Sequence, residues 1–426
     1  MRMRRDGRRA LLLAMAVFFC AAAARAQVPF EQAIEELASP DTSTRLRTVQ
    51  MLKDAAYLEA AVPLAKLVVD SQDEVQLAAI AAEINIFLAE QLVSRRRVGF
   101  IVEVRTPVAA DAVFDSGPLA IGNRPVPSEV LDALRAAMRD DNPRVRLEAM
   151  YAFGVLAVEP AGSRRREMLR TSGPDLASMI GAVDPFQRYA ALRVLGRVFE
   201  RRLQDDPIDE YVGDAVVGVL NDRNKDMQSA ALQALGAMRY ERAVQSLMDL
   251  FLHYSKGDMA AEALDAVARI AHSSSLPLLA SQLGSKNAGL KGIAIEGLAR
   301  AGDRARLAEI QSALATERNE GLVLAGSFAS ARLADGTLDP IVVALAKPRL
   351  RDRARWYLIE IAAARAQALA RYLQDPDPTV RAELVNALGL SDDVRALALV
   401  QPMASDPDIQ VARAVDRALA RLTQTK

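Results

Sequence analysis

The sequence predicts an all-α fold, an α-α superhelix (solenoid) with one small extended, hairpin-like insertion. Three observations predict it. A helical run recurs about every 31 residues, an aspartate or asparagine precedes most copies, and a second amphipathic run separates one copy from the next. A unit of two short helices cannot bury its apolar faces alone, so the copies are expected to stack side by side. The chain has 426 residues, and its 51% hydrophobic content is enough for a continuous core.

The first 26 residues have the three parts of an export signal. Five arginines among the first nine residues precede an apolar run at 10–24, and Ala24 and Ala26 flank Arg25 at a typical cleavage site. We predict cleavage after Ala26 and a chain that is exported to the periplasm or secreted. An uncleaved anchor is the alternative, but an apolar run of about 15 residues is shorter than the roughly 20 that span a bilayer. The paired arginines also fit twin-arginine export.

The composition bears on partners and on cysteine chemistry. The sole cysteine, Cys20, lies inside the predicted signal, so the exported chain would have no disulfide, thiolate metal site or thiol nucleophile. Removing residues 1–26 takes away six arginines and one aspartate, which leaves 48 basic and 53 acidic side chains. This negative balance argues against a nucleic-acid partner. No later segment is long and apolar enough to span a membrane, so we expect no stable membrane insertion after cleavage.

Each repeat is defined by an anchor residue, with apolar or small residues four, five, seven and eight positions later. The clearest copies are 141–154 and 377–389. We call the anchored helix of a repeat its B helix and the other its A helix. A helices are predicted at 128–140, 210–222, 241–252 and 393–405. The eleven anchors are Thr44, Val75, Val145, Gln187, Met227, Met259, Leu290, Leu322, Leu350, Val380 and Val411.

Most B helices have a start signal three residues before the anchor. Aspartate and asparagine side chains accept hydrogen bonds from the free amides of a first helical turn and so act as N-caps. Pro143, Pro185 and Pro378 follow directly, at the first helical position, where a missing amide hydrogen costs nothing. The predicted caps are Asp41, Asn142, Asp184, Asn224, Asn287, Asp377 and Asp408.

Side chains at fixed positions of the repeat predict how the B helices pack. Small residues at +4 and +7, such as Ala149 and Ala152, share a face with the larger Phe153 at +8. Small side chains let neighbouring helices approach closely. The arginines at +1, namely Arg146, Arg188 and Arg381, are interpreted as structural, in a ladder with aspartates of adjacent loops.

The run D-x-x-V-R-x-x-A-x-x-A-L-G, followed by a second helix, resembles HEAT-type repeats, and is similar to the short class of the phycobilisome lyase-like repeats. The resemblance covers nearly all of 30–424, with about eleven copies, and is strong at 141–154, 224–236, 377–389 and 406–419. It implies an α-solenoid whose B helices line the concave face. It carries no lyase activity to this chain, because handling of a bilin chromophore would be odd for an exported protein.

The largest departure from the period lies between Val75 and Val145. Residues 98–105 are β-branched and aromatic, and a stretch rich in glycine, proline and aspartate follows up to Pro127. Such a segment is typical of a strand or hairpin. We therefore predict a non-helical insertion at 98–127, which either covers the groove between two repeats or serves as a second docking feature.

The C-terminal repeat differs from the others on one face. Asp416 occupies the +5 position, which is apolar in residues such as Met150 and Val385. A polar outer face is what a terminal repeat requires, so the array should end near Leu422.

The sequence predicts no catalytic, cofactor-binding or metal-binding residues. Only His253 and His272 offer an imidazole, and neither is followed by a glutamate. The HEAT-like family resembling deoxyhypusine hydroxylase binds iron through His-Glu pairs, so that activity is not carried over. The acidic run 222–226 is followed by Met227, where a calcium loop needs glycine. No glycine-rich phosphate loop stands at a strand-to-helix junction.

The predicted working surface is a row of side chains at +2 and +6 of the B helices. The resemblance places this row on the concave face. Trp356, the sole tryptophan, lies among the basic residues of 347–355, and Trp, Tyr and Arg are enriched at interface hot spots. Its alternative role is to cover a seam between repeats. The candidate partner-binding residues are Tyr151, Tyr189, Arg193, Gln233, Glu296, Trp356 and Asn386.

These observations predict an exported, non-catalytic HEAT-repeat scaffold that binds a protein or peptide along its concave face. The alternative is an enzyme with a carboxylate or hydroxyl site at the 98–127 insertion. A nucleic-acid-binding HEAT protein is the third hypothesis, and both export and negative charge oppose it.

Overall fold

The computed structural model describes residues 29–88, 109–122, 124–159, 162–200 and 208–424. Within these ranges the chain forms 22 α-helices joined by short 3-10 turns and no β-strand, apart from an isolated antiparallel bridge between Leu88 and Ile121. The fold is an all-α superhelix, as predicted. The predicted signal at 1–26 and the predicted strand at 98–105 lie outside the described residues.

All eleven predicted B helices form. They are α2 (Thr42–Ala55), α4 (Asp73–Phe87), α7 (Pro143–Leu156), α9 (Pro185–Val198), α11 (Lys225–Met238), α13 (Asp258–Ile270), α15 (Ala288–Arg300), α17 (Glu320–Ala334), α19 (Arg351–Arg365), α20 (Pro378–Leu390) and α22 (Ile409–Gln424).

The other helices are shorter in most repeats. They are α1 (Phe30–Glu36), α3 (Ala61–Ala65), α5 (Ala110–Asp115), α6 (Ser128–Ala137), α8 (Ser163–Met179), α10 (Glu210–Gly218), α12 (Val244–Tyr254), α14 (Leu276–Ser281), α16 (Leu307–Leu314), α18 (Asp339–Leu345) and α21 (Leu397–Val400). Between α19 and α20 a 3-10 helix, Ala366–Gln374, stands in the place of the A helix.

The helix starts follow the predicted caps. All seven predicted aspartates and asparagines accept a hydrogen bond from a first-turn amide, for example Asp41 from the Thr44 amide at 2.9 Å. Asn319 is an eighth cap, which accepts from the Gly321 and Leu322 amides. The B helices therefore begin where local side-chain chemistry starts them.

Successive B helices touch through small residues. A methyl group added to Gly196 would lie 3.2 Å from the Cα of Ala234, and one added to Gly389 would lie 2.7 Å from the Cβ of Ala418. In both cases position +9 of one B helix meets position +7 of the next. The same register pairs Gly154 with Val194 and Gly236 with Ala266. This repeated contact places one apolar cluster along the whole described chain, from Ala33 to Leu422.

An arginine-aspartate ladder ties successive loops together, as predicted. In each rung the +1 side chain of one B helix binds the aspartate that lies two residues before the N-cap position of the next B helix. The rungs are Arg45–Asp70, Arg188–Asp222 and Arg381–Asp406, and Gln76 binds Asp140 in the same way. Arg146 instead donates to the carbonyl of Asp140 at 2.8 Å and lies 4.0 Å from Asp184.

The insertion is not wholly non-helical, so that prediction is wrong for 110–115. These residues form α5, in which Ala110, Val113 and Phe114 are buried. Their spacing of three and four residues puts them on one helical face, which packs on α7. The composition of the segment had masked this short pattern. After α5 a short 3-10 helix, Pro118–Ala120, leads to the extended residue Ile121, which forms the bridge to Leu88.

The superhelix curves until its last repeat meets its third. An Nη atom of Arg421 in α22 lies 3.5 Å from the carbonyl oxygen of Val158, which follows α7. Asp416 in α22 is exposed, and the same helix meets the end of α7 through Arg421.

One carboxyl group lies inside the core of the second repeat. Glu83 occupies the +8 position of α4, where other repeats have Phe153 or Leu195. It is fully buried, and neither of its carboxylate oxygens has a hydrogen-bond partner. Burial raises the pKa of Glu83 well above its ordinary value.

We expect Gly389→Ala to lower the stability by about 1 to 3 kcal/mol, because the new methyl group overpacks the contact between α20 and α22. Gly218→Ala is the matched control, since Gly218 is also helical and has no atom within 4 Å of an added methyl group. It should be neutral or stabilising by up to about 1 kcal/mol. Urea unfolding followed by circular dichroism measures both, and equal effects would contradict the close contact.

We expect Glu83→Gln to stabilise the protein near pH 7 and to leave it nearly unchanged near pH 4. A raised folded-state pKa means that ionisation of the unfolded chain, from about pH 4.5 upward, favours unfolding. The penalty grows by at most about 1.4 kcal/mol per pH unit until the folded-state pKa is reached. The melting temperatures of both proteins between pH 4 and 8 measure it, and parallel curves would refute the buried neutral carboxyl group.

Candidate functional site: the inner wall of the superhelix

The structure divides the predicted partner-binding row into separate environments. Tyr151, Tyr189 and Arg193 come together beside α5. Glu296 lies in a buried charged cluster in the second half of the chain, and Asn386 lies near the closure of the superhelix. Gln233 and Trp356 stand apart from these groups. For all seven residues of the row, a role in partner binding stays a prediction.

The first group is occupied by the chain's own insertion. The Arg193 guanidinium lies 5.8 Å from the ring centroid of Tyr151, 5.7 Å from that of Tyr189 and 5.0 Å from that of Phe114 in α5. It also forms an ion pair with Asp115 at 2.5 Å. Burial raises the pKa of Tyr151, whose ring meets Phe114 edge-on at 5.4 Å.

Arg197, a second arginine of α9, also contacts α5 and holds it against the inner wall. The Arg197 guanidinium lies 4.5 Å from the ring centroid of Phe114 and donates a hydrogen bond to the Phe114 carbonyl at 3.0 Å. Cation-π contacts and charged hydrogen bonds both stabilise α5 in this position. Of the two roles predicted for the insertion, α5 therefore performs the first: it covers the groove between two repeats.

The second group is a buried charged cluster between α15 and α19. The Arg300 Nε donates to both carboxylate oxygens of Glu360, at 3.0 and 3.1 Å, and its Nη1 lies 3.2 Å from Glu296. Glu296 also binds Arg353 and the Tyr357 hydroxyl. Glu296 is only 6% exposed. These contacts join B helices that are not neighbours, since α17 lies between them in the chain.

The arginines of this cluster keep its two carboxyl groups ionised. Burial alone would raise the pKa of Glu360, but Arg300 holds it below its ordinary value; Arg300 and Arg353 do the same for Glu296. Arg239 lies 4.0 Å from Glu360, and Arg332 donates to the Glu360 carbonyl at 3.3 Å. Both carboxylates are therefore charged at neutral pH and are surrounded by arginines.

Sequence reasoning missed most of this cluster because it considered positions +2 and +6. Arg300, Arg332 and Glu360 lie at +10, one helical turn further on. The same position holds Arg197, Arg269 and Arg421. A row of arginines in the last turn of a helix is a readable signal, since the negative end of the helix dipole favours cations there.

Trp356 is half-buried and packs against the core. Of the arginines that precede it in α19, Arg353 binds Glu296 and Arg355 binds Glu383. Both roles of Trp356, partner binding and covering a seam between repeats, stay predictions. Gln233 is exposed, and its amide donates to the Ser229 hydroxyl at 3.3 Å.

Asn386 lines a cavity at the closure of the superhelix, where its side-chain oxygen accepts a hydrogen bond from Arg417 at 3.3 Å. One wall comes from α20 and α22. The opposite wall comes from the end of α7 and the extended part of the insertion, including Ile121.

The two histidines have separate local environments. His253 is exposed late in α12, with its ring 5.1 Å from that of Tyr254. The Nδ1 atom of His272 accepts from the Ser274 amide at 3.2 Å. In the described ranges no three histidine, aspartate or glutamate side chains are grouped as metal ligands, and no helix has the length and apolarity to cross a membrane.

Comparisons with known proteins return structural similarities only. No protein-family model matches the sequence, and no curated protein matches it. An engineered protein solved by a structural genomics consortium aligns with 92% of this chain and 98% of its own, at 17% identity and a TM-score of 0.38. A chain from a study of Kap95p binding to RanGDP aligns with 90% of this chain and 49% of its own, at 14% identity and a TM-score of 0.35. The assignment as a helical repeat solenoid rests on the packing described above.

We expect Glu360→Gln to destabilise the protein by about 3 to 5 kcal/mol at pH 7, because it removes one of the two carboxylates that pair with the buried Arg300. The difference from the wild type should shrink in acid. A lowered folded-state pKa contributes stability above the unfolded pKa, about 4.5, and that contribution is lost as the pH falls through the folded pKa.

Thermal unfolding between pH 3 and 8 measures this effect. The control is Glu309→Gln, whose ion pair with Arg306 is exposed and should not affect stability measurably. A similar loss in both variants, or a difference that does not depend on pH, would contradict the role assigned to the cluster.

Proposed function

We propose that this protein is an exported, non-catalytic scaffold of HEAT type that binds a protein or peptide partner. Export rests on the signal-like residues 1–26, and the HEAT assignment on the repeated capped run of the B helices. The observation that carries partner binding is a patch of exposed apolar side chains in the fourth repeat.

The patch comprises Val183, Phe186 and Tyr211. Val183 is fully exposed, Phe186 is 71% exposed and Tyr211 is 57% exposed. Val183 and Phe186 lie around the turn that enters α9. Tyr211, the second residue of α10, lines a groove together with Ile180 and Gly181, which lie just before that turn. Apolar side chains left exposed on a protein surface are typical of interaction sites.

Repeat positions show that these side chains are not required by the fold. Phe186 stands at −1 relative to the anchor, where the other ten repeats have only polar residues or glycine: Ser43, Glu74, Arg144, Asp226, Asp258, Gly289, Gly321, Arg349, Thr379 and Gln410. Val183 stands at −4, where the other copies are polar, proline or alanine. The two apolar residues therefore distinguish this repeat from the others.

A shallow groove next to the patch provides a place for a partner side chain. Tyr211 lines it together with Ile180 and Gly181, and Gly218 leaves its floor free of side-chain atoms. The helix α8 packs on both α9 and α10 and supports the groove. A preformed groove reduces the entropy lost on binding.

The predicted concave row remains the second candidate surface, through its accessible members Gln233 and Trp356. The enzyme hypothesis required polar groups in a closed pocket at the insertion. The cavity there has one described carboxylate, Glu159, which is paired with Arg164 at 3.1 Å. This pairing favours a binding role over acid-base chemistry.

We expect the triple substitution Val183→Ser, Phe186→Ser and Tyr211→Ser to reduce capture of partners from a native envelope extract at least tenfold, because it removes the apolar anchors. The matched control replaces Leu252, Val343 and Ile409 with serine. These three are 55% to 63% exposed but lie in different repeats. Mass spectrometry of the captured proteins provides the measurement, with circular dichroism as a check of folding.

A third variant, Trp356→Ala with Gln233→Ala, tests the concave row. Loss of the same partners in this variant but not in the patch variant would move the site to the inner wall. Equal capture by all variants would refute both surfaces.

A further inference from the structure

The cavity at the closure of the superhelix is formed by parts of the chain that are distant in sequence. Its volume is about 80 Å³, and it opens to solvent on one side. Leu156 and Val158 contribute from the end of α7, Ile121 from the insertion, and Leu390 from α20. The cavity admits one end of a small organic molecule whose remainder lies in the open mouth, and most of the wall is apolar.

One arginine in this cavity has no charged partner. Among the described residues Arg417 forms no ion pair, and its only hydrogen bond is the 3.3 Å contact from its Nη2 to Asn386. Its Nε atom is buried without any hydrogen-bond partner. A buried donor that has lost water and gained no acceptor costs free energy, so the protein's own contacts leave this guanidinium incompletely satisfied.

Two other charged groups of the cavity wall are already paired. Arg421 binds Asp392 at 2.6 Å, and Glu159 binds Arg164 at 3.1 Å. Burial and the nearby Arg413 lower the pKa of Arg417 more than Glu383 and Asp416 raise it. The wall thus contains three arginines, Arg124, Arg417 and Arg421, and one carboxylate, Glu159.

We propose that this cavity binds a small organic monocarboxylate, with Arg417 as the residue that recognises its carboxylate. A planar guanidinium pairs with a carboxylate through two parallel hydrogen bonds. The guanidinium of Arg417, which has no ion pair among the described residues, matches a single carboxylate, whereas inorganic phosphate has no apolar part for the wall to cover. The apolar wall then covers the hydrocarbon part of the ligand. This site is separate from the patch of the fourth repeat, so its test is independent of the proposed function.

Isothermal titration of the full chain at pH 7 with hexanoate and with benzoate tests the proposal. We expect saturable binding of at least one of them, and binding at least tenfold weaker in Arg417→Gln. Arg417→Lys retains the charge without the planar fork and should lie between the two. Hexanol and inorganic phosphate are the comparison ligands, and both should bind more weakly than hexanoate.

The matched control is Arg332→Gln, which removes another partly buried arginine whose pKa is also lowered by burial but which does not line the cavity. It should bind the carboxylates as the wild type does. Absence of saturable binding of both carboxylates to the wild type would overturn the proposal. Phosphate that binds more strongly than hexanoate, or hexanol that binds as strongly as hexanoate, would also overturn it. The same holds if Arg332→Gln weakens carboxylate binding as much as a correctly folded Arg417→Lys does.

Discussion

The close contact between successive B helices is the constraint on which the rest of this structure depends. Position +9 of one helix meets position +7 of the next, and at Gly196, Gly236 and Gly389 a side chain would not fit without movement. Helices that approach this closely pack in one register only. The contact therefore fixes both the distance and the rotation from each repeat to the next.

A fixed rotation repeated many times gives the superhelix its tight curvature. Side chains far apart in sequence then meet on the inside, as Arg300 and Glu360 do, and as Arg421 and Val158 do at the closure. Buried ion pairs add little stability compared with apolar packing, but a missing partner is costly. We interpret the charged cluster as a device that favours one curvature over others, because only this curvature pairs its charges.

This curvature changes where a partner is expected to bind. An open solenoid offers its concave face, whereas here α5 occupies the wall at Tyr151 and charges fill it at Glu296. The exposed apolar patch lies instead at the turn into α9 and at the start of α10. The closure creates a cavity that no single repeat contains. We therefore propose that this protein recognises a protein partner at the turn into α9 and a small ligand at the junction between distant repeats.

The sequence by itself determined the local structure: the period, the eleven B helices, their caps and the arginine-aspartate ladder. Each of these depends on residues within one repeat or in adjacent ones, such as Asn142 and the amide of Arg144. Only the tertiary structure decided the closure of the superhelix, the charged cluster and the position of α5. These depend on the summed rotation of many repeats, and a small difference in rotation at each contact would separate Arg421 from Val158 without changing any helix.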